Sequence, residues 1–461
     1  MKNRMLILLA AAFLAPAALS AQQIKPFKDG DRAVFLGNSI TDGGHYHSYI
    51  WLYYMTRFPD MDLRVYNAGV GGDAVSDMNK RLDADALDKR PTTLMVTFGM
   101  NDTGYNEYNE PGAEEFGEAR YRKCLDDYRS LEKRLQGLHN TRIVLMGSSP
   151  YDEGAELQGN IALRGKNAVM ERVAAFQKGA AEANGWEFID FNAPMTALNR
   201  AGQKNDPAFT LCGRDRIHLE NDGHMVMAYL FLKAQGFAGK EVAHVEIDAA
   251  RAKLVDAGNC EVTEVAASRA GLSFDYLACA LPYPMDAVAR GWEMTRSQSL
   301  AAKIVPFVEE MNREMLTVRG LKGNYKLSID GVEIAALTGD ELARGVNLAV
   351  MPRTPQYRQA LAVMFLNEER WTTERRFRDY SWIQFNFFQR RGLLFADNAD
   401  ALEALDREGV NDGWLRMHRD NYSQMMHAEV RDARQAEIDS LVEKIYRINK
   451  PVRRKITLKK V

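Results

Sequence analysis

Between Asp31 and about Gly239, short and nearly unbroken apolar runs alternate with helical segments, and this rhythm constrains the fold more than any other feature. The runs are Ala33–Leu36, Leu63–Tyr66, Thr93–Phe98, Arg142–Met146 and Trp186–Asp190. Strands without polar alternation are buried on both faces, which calls for a parallel sheet sandwiched between helices. From about Glu118 to Leu138, residues Tyr121, Leu125, Tyr128, Leu131, Leu135 and Leu138 fall on one helical face. In such a sheet, functional groups gather just past the carboxyl ends of the strands.

Beyond Gly239 the pattern changes. Segments near 243–283 and 324–350 read as short strands, with Asp330-Gly331 as a hairpin turn between alternating residues. A helical stretch from about Ala287 to Met315 is expected between them. From Pro355 onward the pattern is mostly long, charged and helical, and the basic tail Arg453–Lys460 reads as a solvated terminus. The expected organisation is therefore a leader over 1–21, an α/β unit over 22–240, a small mixed α+β region over 241–353 and a helical region over 354–461.

The leader is expected because Lys2 and Arg4 precede a short apolar run that ends in Pro16 and small residues up to Ala21. That is the pattern of a secretory signal peptide without a lipobox cysteine, and it implies a periplasmic or secreted protein. The 461 residues include 60 basic and 62 acidic side chains, a formal charge of −2 that lacks the footprint of a nucleic-acid binder. No later run is long enough to span a membrane. Four cysteines in so long a chain are not a disulfide framework. Cys260 and Cys279 flank a turn-like Ser268–Gly271, so a hairpin would bring them face to face and a disulfide there is open. Cys124 reads as buried filler.

Four strand-end or loop blocks carry the chemistry. Strand one runs into Gly37-Asn38-Ser39-Ile40-Thr41, strand two into Asn67-Ala68-Gly69-Val70-Gly71-Gly72-Asp73, and strand three into Gly99-Met100-Asn101-Asp102. The fourth block, Asp215-Arg216-Ile217-His218, precedes the last helix of this half. Each is weak alone, since a serine after a strand is most often a helix cap. Together they supply acyl transfer: Ser39 as nucleophile, His218 as base, and Asp215 to fix the imidazole tautomer. The Ser39 and Gly72 N–H groups and the Asn101 amide would receive the oxyanion. Glycine at 72 lets the backbone approach the substrate without a Cβ in the way.

The four blocks, in this order over roughly residues 31–237, resemble the SGNH (GDSL-type) serine hydrolases. The resemblance implies a three-layer αβα, flavodoxin-like parallel sheet, here with a C-terminal α+β, mostly helical extension. It also implies the same five residues, Ser39, Gly72, Asn101, Asp215 and His218, in the roles just given. Asn38 and Ile40 stand where the name-giving block has Asp and Leu, and neither position takes part in proton transfer.

Other titratable residues have simpler readings. His45 and His47, with Asp42, lack the spacing of a zinc helix and are expected to be partly exposed substrate contacts. His224 reads as structural or surface. Asp73 and Asp77 sit at a helix start, where the dipole favours carboxylates, and a glycosidase pair is the remote alternative. The aromatics from Tyr380 to Phe388 read as core rather than a sugar platform.

The expected function is ester hydrolysis through an acyl-enzyme, with no metal or organic cofactor called for. Export and the resemblance point to removal of acetyl groups from carbohydrates, so the expected partner is a small or acylated carbohydrate substrate. A lipase, lysophospholipase or thioesterase on the same triad is the alternative, and a catalytically vestigial polysaccharide-binding protein is the second.

Overall fold

The computed structural model describes residues 23–291 and 294–461, so the expected leader over 1–21 lies outside the described residues. Its first half is built on β1 (Arg32–Gly37), β2 (Arg64–Gly69), β3 (Thr93–Phe98), β4 (Arg142–Gly147) and β5 (Glu187–Asp190). All pair in parallel, in the order β2-β1-β3-β4-β5. Interleaved are α1 (Ser39–Asp42), α2 (Tyr46–Arg57), α3 (Val75–Arg81), α4 (Ala113–Gln136), α5 (Lys166–Asn184), α6 (Asn192–Gln203) and α7 (Asn221–Ala234). Alternate residues of β1 enter opposite cores: Ala33 and Phe35 face α2 and α7, while Val34 and Leu36 face α3, α4 and α5. The first half is thus a three-layer α/β sandwich.

The strand order decides where the functional loops meet. β1 lies between β2 and β3, with Gly37 opposite Gly69 and Leu36 opposite Val96. The loops bearing Ser39, Gly72 and Asn101 therefore leave one sheet edge side by side, at the point where the chain switches direction across the sheet.

Helix α2, Tyr-His-Ser-Tyr-Ile-Trp-Leu-Tyr-Tyr-Met-Thr-Arg, is buried along its whole length. A helix apolar on every side must be covered on every side. Here the covering comes from the sheet, α7 and, from the second half, α10 (Pro355–Trp382). Each fully buried large side chain contributes roughly 1.5–3 kcal/mol, and Trp51 joins the two halves directly, donating from Nε1 to the Tyr446 hydroxyl at 3.2 Å with the Arg370 guanidinium over its ring.

The second half opens with two sheets. β6 (Ala243–Asp248), β7 (Lys253–Gly258), β10 (Glu314–Arg319) and β13 (Val346–Asn347) form one; β8 (Cys260–Ser268), β9 (Gly271–Ala278), β11 (Asn324–Ile329), β12 (Val332–Thr338) and β14 (Arg454–Lys460) form the other. They close over a shared apolar core that includes Ile247, Phe274, Leu316 and Leu327. Asp330-Gly331 makes the expected hairpin turn, both residues at positive φ. Helices α8 (Phe307–Met311) and α9 (Gly339–Arg344) are short, and α10 is followed by α11 (Ala399–Gly409), α12 (Gly413–Met425) and α13 (Ala428–Ile448).

Three expectations are corrected here. The basic tail is not a solvated terminus: Arg454–Lys460 is the central strand of the five-stranded sheet, between β11 and β9. Its alternation buries Ile456 and Leu458 while Arg453, Lys459 and Lys460 face water. The helices of 355–448 are therefore an excursion that leaves the β unit after β13 and returns as β14, so the boundary at 353/354 does not separate a β part from a purely helical one. The helix expected over 287–315 is not formed: among the described residues this stretch holds a 3₁₀ turn at Gln298–Lys303, the short α8 and the start of β10. Tertiary contacts outweigh local propensity there, because Arg290, Thr295 and Arg296 give their N–H groups to the side chains of Asn221 and Glu220. Cys260 and Cys279 are both free thiols. Cys260 pairs in register with Ala278, one residue short of Cys279, which puts the two side chains on opposite faces of the hairpin.

Candidate active site

The chain turns sharply where β1 ends. Asn38 caps α1, its Oδ1 accepting the Ile40 N–H at 3.0 Å, so asparagine serves as an N-cap at the position where the name-giving block has aspartate. Glycine is needed at 37 because a Cβ would lie 2.2 Å from Thr41 Oγ1. Ser39 is the first residue of α1, and its Oγ lies 2.8 Å from His218 Nε2. His218 Nδ1 lies 2.5 Å from Asp215 Oδ2. A carboxylate can only accept, so Nδ1 carries the proton and the Nε2 lone pair faces the serine hydroxyl.

The Asp215–His218 turn is held from both ends. Asp215 Oδ1 accepts the N–H groups of Ile217 and His218, at 2.9 and 3.0 Å. Burial acts to raise the Asp215 carboxyl, but the His218 hydrogen bond and charge, with those two N–H groups, outweigh it and keep it below the usual carboxylate range. Arg216, between them, has φ 67, an uncommon left-handed conformation for a side-chain-bearing residue. Its buried guanidinium donates to the carbonyls of Asp152, Ala155 and Asn160 at 2.8–3.0 Å, which fixes the turn against a neighbouring loop.

On the other side of Ser39, Gly72 has φ +88 and open space where a Cβ would be. Asn101 Nδ2 donates one hydrogen to the Asp73 carbonyl at 2.9 Å, leaving its second hydrogen, while its Oδ1 accepts the Tyr105 hydroxyl. Among the described residues, the N–H groups of Ser39 and Gly72 have no protein acceptor. The Asn101 loop is braced from behind. Arg120 binds the carbonyls of Asn101 and Asp102, at 3.0 and 2.7 Å, and buried Lys166 binds those of Met100 and Gly104, at 2.7 and 2.5 Å. Asp102 ties the loop to the start of α3 through the Val75 N–H at 2.8 Å.

Residues from the second half, which no local motif marks, complete the surroundings. Arg375 of α10 binds the Asp42 carbonyl at 2.7 Å and the Asp42 carboxylate, whose other oxygen accepts the Gly71 N–H at 3.0 Å. Arg378 binds the Gly69 carbonyl at 3.2 Å and pairs with buried Asp85. Glu374 accepts the Asn67 N–H at 2.9 Å, and Asn386 donates to the Gly71 carbonyl at 3.2 Å. The loops at the ends of β1 and β2 are thus shaped by a helix about 300 residues away in the chain.

His45 and His47, expected as partly exposed substrate contacts, are fully buried instead. They begin α2, which is enclosed by α10: His45 stacks on Trp371 at 3.9 Å, and His47 donates from Nε2 to the Thr41 carbonyl at 3.2 Å. Burial pushes the His47 imidazole down to about 4, so it is neutral and structural. His224 is likewise buried, stacked beside Tyr46. Asp73 pairs with buried Arg81 at 2.6 Å, and Asp77 caps α3 through the Ala74 N–H. Of the aromatic run, Tyr380, Phe387 and Phe388 are core, whereas Trp382 is half-buried beside Gly71.

Comparison with known proteins agrees with this architecture. Residues 35–226 match the GDSL-like Lipase/Acylhydrolase family, and residues 361–450 match a family described as the Diltiazem deacetylase C-terminal helical domain. The solved structure of a gut microbial diltiazem-metabolizing enzyme is 57 % identical, with a TM-score of 0.94, over 96 % of this chain and 100 % of that one. An acetylxylan esterase of Geobacillus stearothermophilus is 25 % identical over 228 residues, which are 45 % of this chain and 95 % of that protein. The chain belongs to the SGNH, or GDSL-like, lipase and acylhydrolase family and is an ester-bond hydrolase.

Proposed function

We propose that this hydrolase removes acetyl groups from ring-bearing alcohols, diltiazem among them, by a serine acyl-enzyme route. Ser39 attacks the ester carbonyl while His218 takes its proton, and the imidazolium, steadied by Asp215, returns that proton to the leaving alcohol. The oxyanion is received by the N–H groups of Ser39 and Gly72 and by the free hydrogen of the Asn101 amide. Water then attacks the acyl carbon while giving a proton to His218, and the imidazolium passes that proton to Ser39 Oγ as the acyl–oxygen bond breaks and acetate leaves. The observation that carries the reading is the unbroken line Asp215–His218–Ser39, with spacings of 2.5 and 2.8 Å, opening to solvent at 45 % exposure of the Asp215 and His218 side chains.

The acetyl ester of a bulky alcohol is favoured by the 57 % identity to a diltiazem-metabolizing enzyme, which extends through the helical region. A second reading, deacetylation of a carbohydrate, draws on the acetylxylan esterase, whose likeness covers 45 % of the chain. The N-terminal Lys2–Ala21 pattern supports export in either case.

The test is acetate release from diltiazem and from acetylated xylo-oligosaccharides, by the protein and by Ser39→Ala. Ser39-dependent release, faster from diltiazem, is expected. A faster release from the oligosaccharide would favour the second reading. Failure on both, with turnover of long-chain p-nitrophenyl esters, would contradict deacetylation and point to a lipase.

A further inference from the structure

The Gly71–Gly72 peptide is the least constrained part of the proposed oxyanion hole, and it is held from outside the catalytic half. Two adjacent glycines, the second at φ +88, offer no Cβ to resist rotation of the peptide between them. Its carbonyl belongs to Gly71 and its N–H to Gly72. In a trans peptide these point in opposite directions, and among the described residues none is cis. Whatever grips the carbonyl therefore aims the N–H.

The grip comes from Asn386, whose Nδ2 donates to the Gly71 carbonyl at 3.2 Å. Asn386 lies in a π-helical turn, Ile383–Phe388, that follows α10. Single π turns inside or after an α-helix are rare and occur frequently at functional sites. Here Ile383, Phe387 and Phe388 enter the core while Asn386 reaches the loop. The preceding Gly71 N–H is held by Asp42, itself clamped by Arg375, and the Trp382 ring lies 3.4 Å from where a Gly71 Cβ would be.

We propose that Asn386 is a positioning residue for ester hydrolysis: its hydrogen bond holds the Gly71–Gly72 peptide with the Gly72 N–H turned toward the reacting carbonyl. This rests on the reading of Gly72 as an oxyanion donor. Without the bond, the peptide is free to rotate and present its carbonyl, which repels the developing oxyanion. Donation to the carbonyl also polarises the peptide and strengthens its N–H as a donor. The helical region thereby supplies part of the catalytic geometry without touching the substrate.

The experiment compares Asn386→Leu, which removes the donor, and Asn386→Asp, which places an acceptor against the carbonyl. Kinetics are read with p-nitrophenyl acetate, and inhibition with a trifluoromethyl ketone, whose serine adduct carries an oxyanion. Loss of a whole oxyanion donor costs about 10²–10³ in kcat, so losing its alignment should lower kcat about 10- to 100-fold. KM should stay within about twofold, and the ketone should weaken in parallel with kcat/KM. Melting temperatures of both variants should stay near that of the parent.

Unchanged kcat and ketone affinity in folded Asn386→Leu and Asn386→Asp would overturn the proposal. So would a loss carried by KM or by unfolding alone. Ser39→Ala and Asn101→Ala, run in parallel, separate this from the underlying reading. If they lose activity while the Asn386 variants do not, only the role of Asn386 fails; if Ser39→Ala stays active, the serine mechanism itself fails.

Discussion

Ser39 Oγ and His218 Nε2 lie 2.8 Å apart across a chain separation of 179 residues. The contact joins the end of the first strand to the turn before α7, and Asp215 fixes the imidazole from the far side. Asp215→Asn keeps an oxygen for the Ile217 and His218 N–H groups but removes the carboxylate from Nδ1. The turn should survive while the tautomer is lost, so kcat should fall by roughly 10²–10⁴ with little change in melting temperature. Steady-state kinetics on p-nitrophenyl acetate, with a thermal melt, check both parts.

Gly72 sits at φ +88 with nothing within 4 Å of a would-be Cβ. Gly72→Ala therefore meets backbone strain rather than a clash. A left-handed conformation costs a residue with a Cβ roughly 1–2 kcal/mol, a modest loss on denaturant unfolding. The catalytic loss should exceed it: kcat should drop at least tenfold as the peptide relaxes away from the serine.

Buried Asp85 gathers three cations: Arg81 at 2.6 Å, Lys89 at 2.6 Å, and Arg378 through two bonds at 2.9 and 2.8 Å. Burial alone would raise its carboxyl, but Arg378, Lys89 and Arg81 together hold it well below the usual range. Asp85→Asn leaves Lys89 and Arg378 without its carboxylate and Arg81 with Asp73 alone, and breaking a buried ion pair costs about 3–5 kcal/mol. Because the folded carboxyl is depressed, the stability it provides is present above the unfolded value and is lost as pH falls. Denaturant melts should show the variant's deficit at pH 7 and a smaller one at acid pH.

Glu314 shows the opposite sign. It is buried between the β unit and α10, with Oε1 accepting from Tyr276 and Gln356 at 2.9 and 3.0 Å and Oε2 unpartnered. Burial pushes its carboxyl up to about 7. The folded state keeps a proton that the unfolded chain loses near 4.5, so stability falls as pH rises from about 4.5 to 7. That window corresponds to about 3 kcal/mol. Glu314→Gln should match the parent near pH 4.5 and exceed it by about 2–3 kcal/mol at pH 8, measured by urea unfolding.

The parallel sheet was legible because strands buried on both faces leave continuous apolar runs. The candidate site was legible as far as its blocks, because Ser39, Gly72 and Asn101 follow adjacent strands and Asp215 and His218 share one turn. The rest lies in contacts without a local signature. The strand Arg454–Lys460 has polar residues on either side of Ile456 and Leu458, and only its partners β9 and β11 distinguish a central strand from a charged tail. His45 and His47 start a helix whose burial depends on α10, more than 300 residues later. Arg375 and Asn386 are ordinary polar residues of a helix and a π turn until folding brings them to Asp42 and Gly71.

An activated Ser39 nucleophile can be trapped covalently. The protein is treated with a fluorophosphonate, and the modified residue is mapped by mass spectrometry in the parent and in His218→Ala. One label per chain is expected, on Ser39, with labelling slowed at least 100-fold in His218→Ala. A label on another residue, or labelling of Ser39 that is indifferent to His218, would contradict Ser39 as the activated nucleophile.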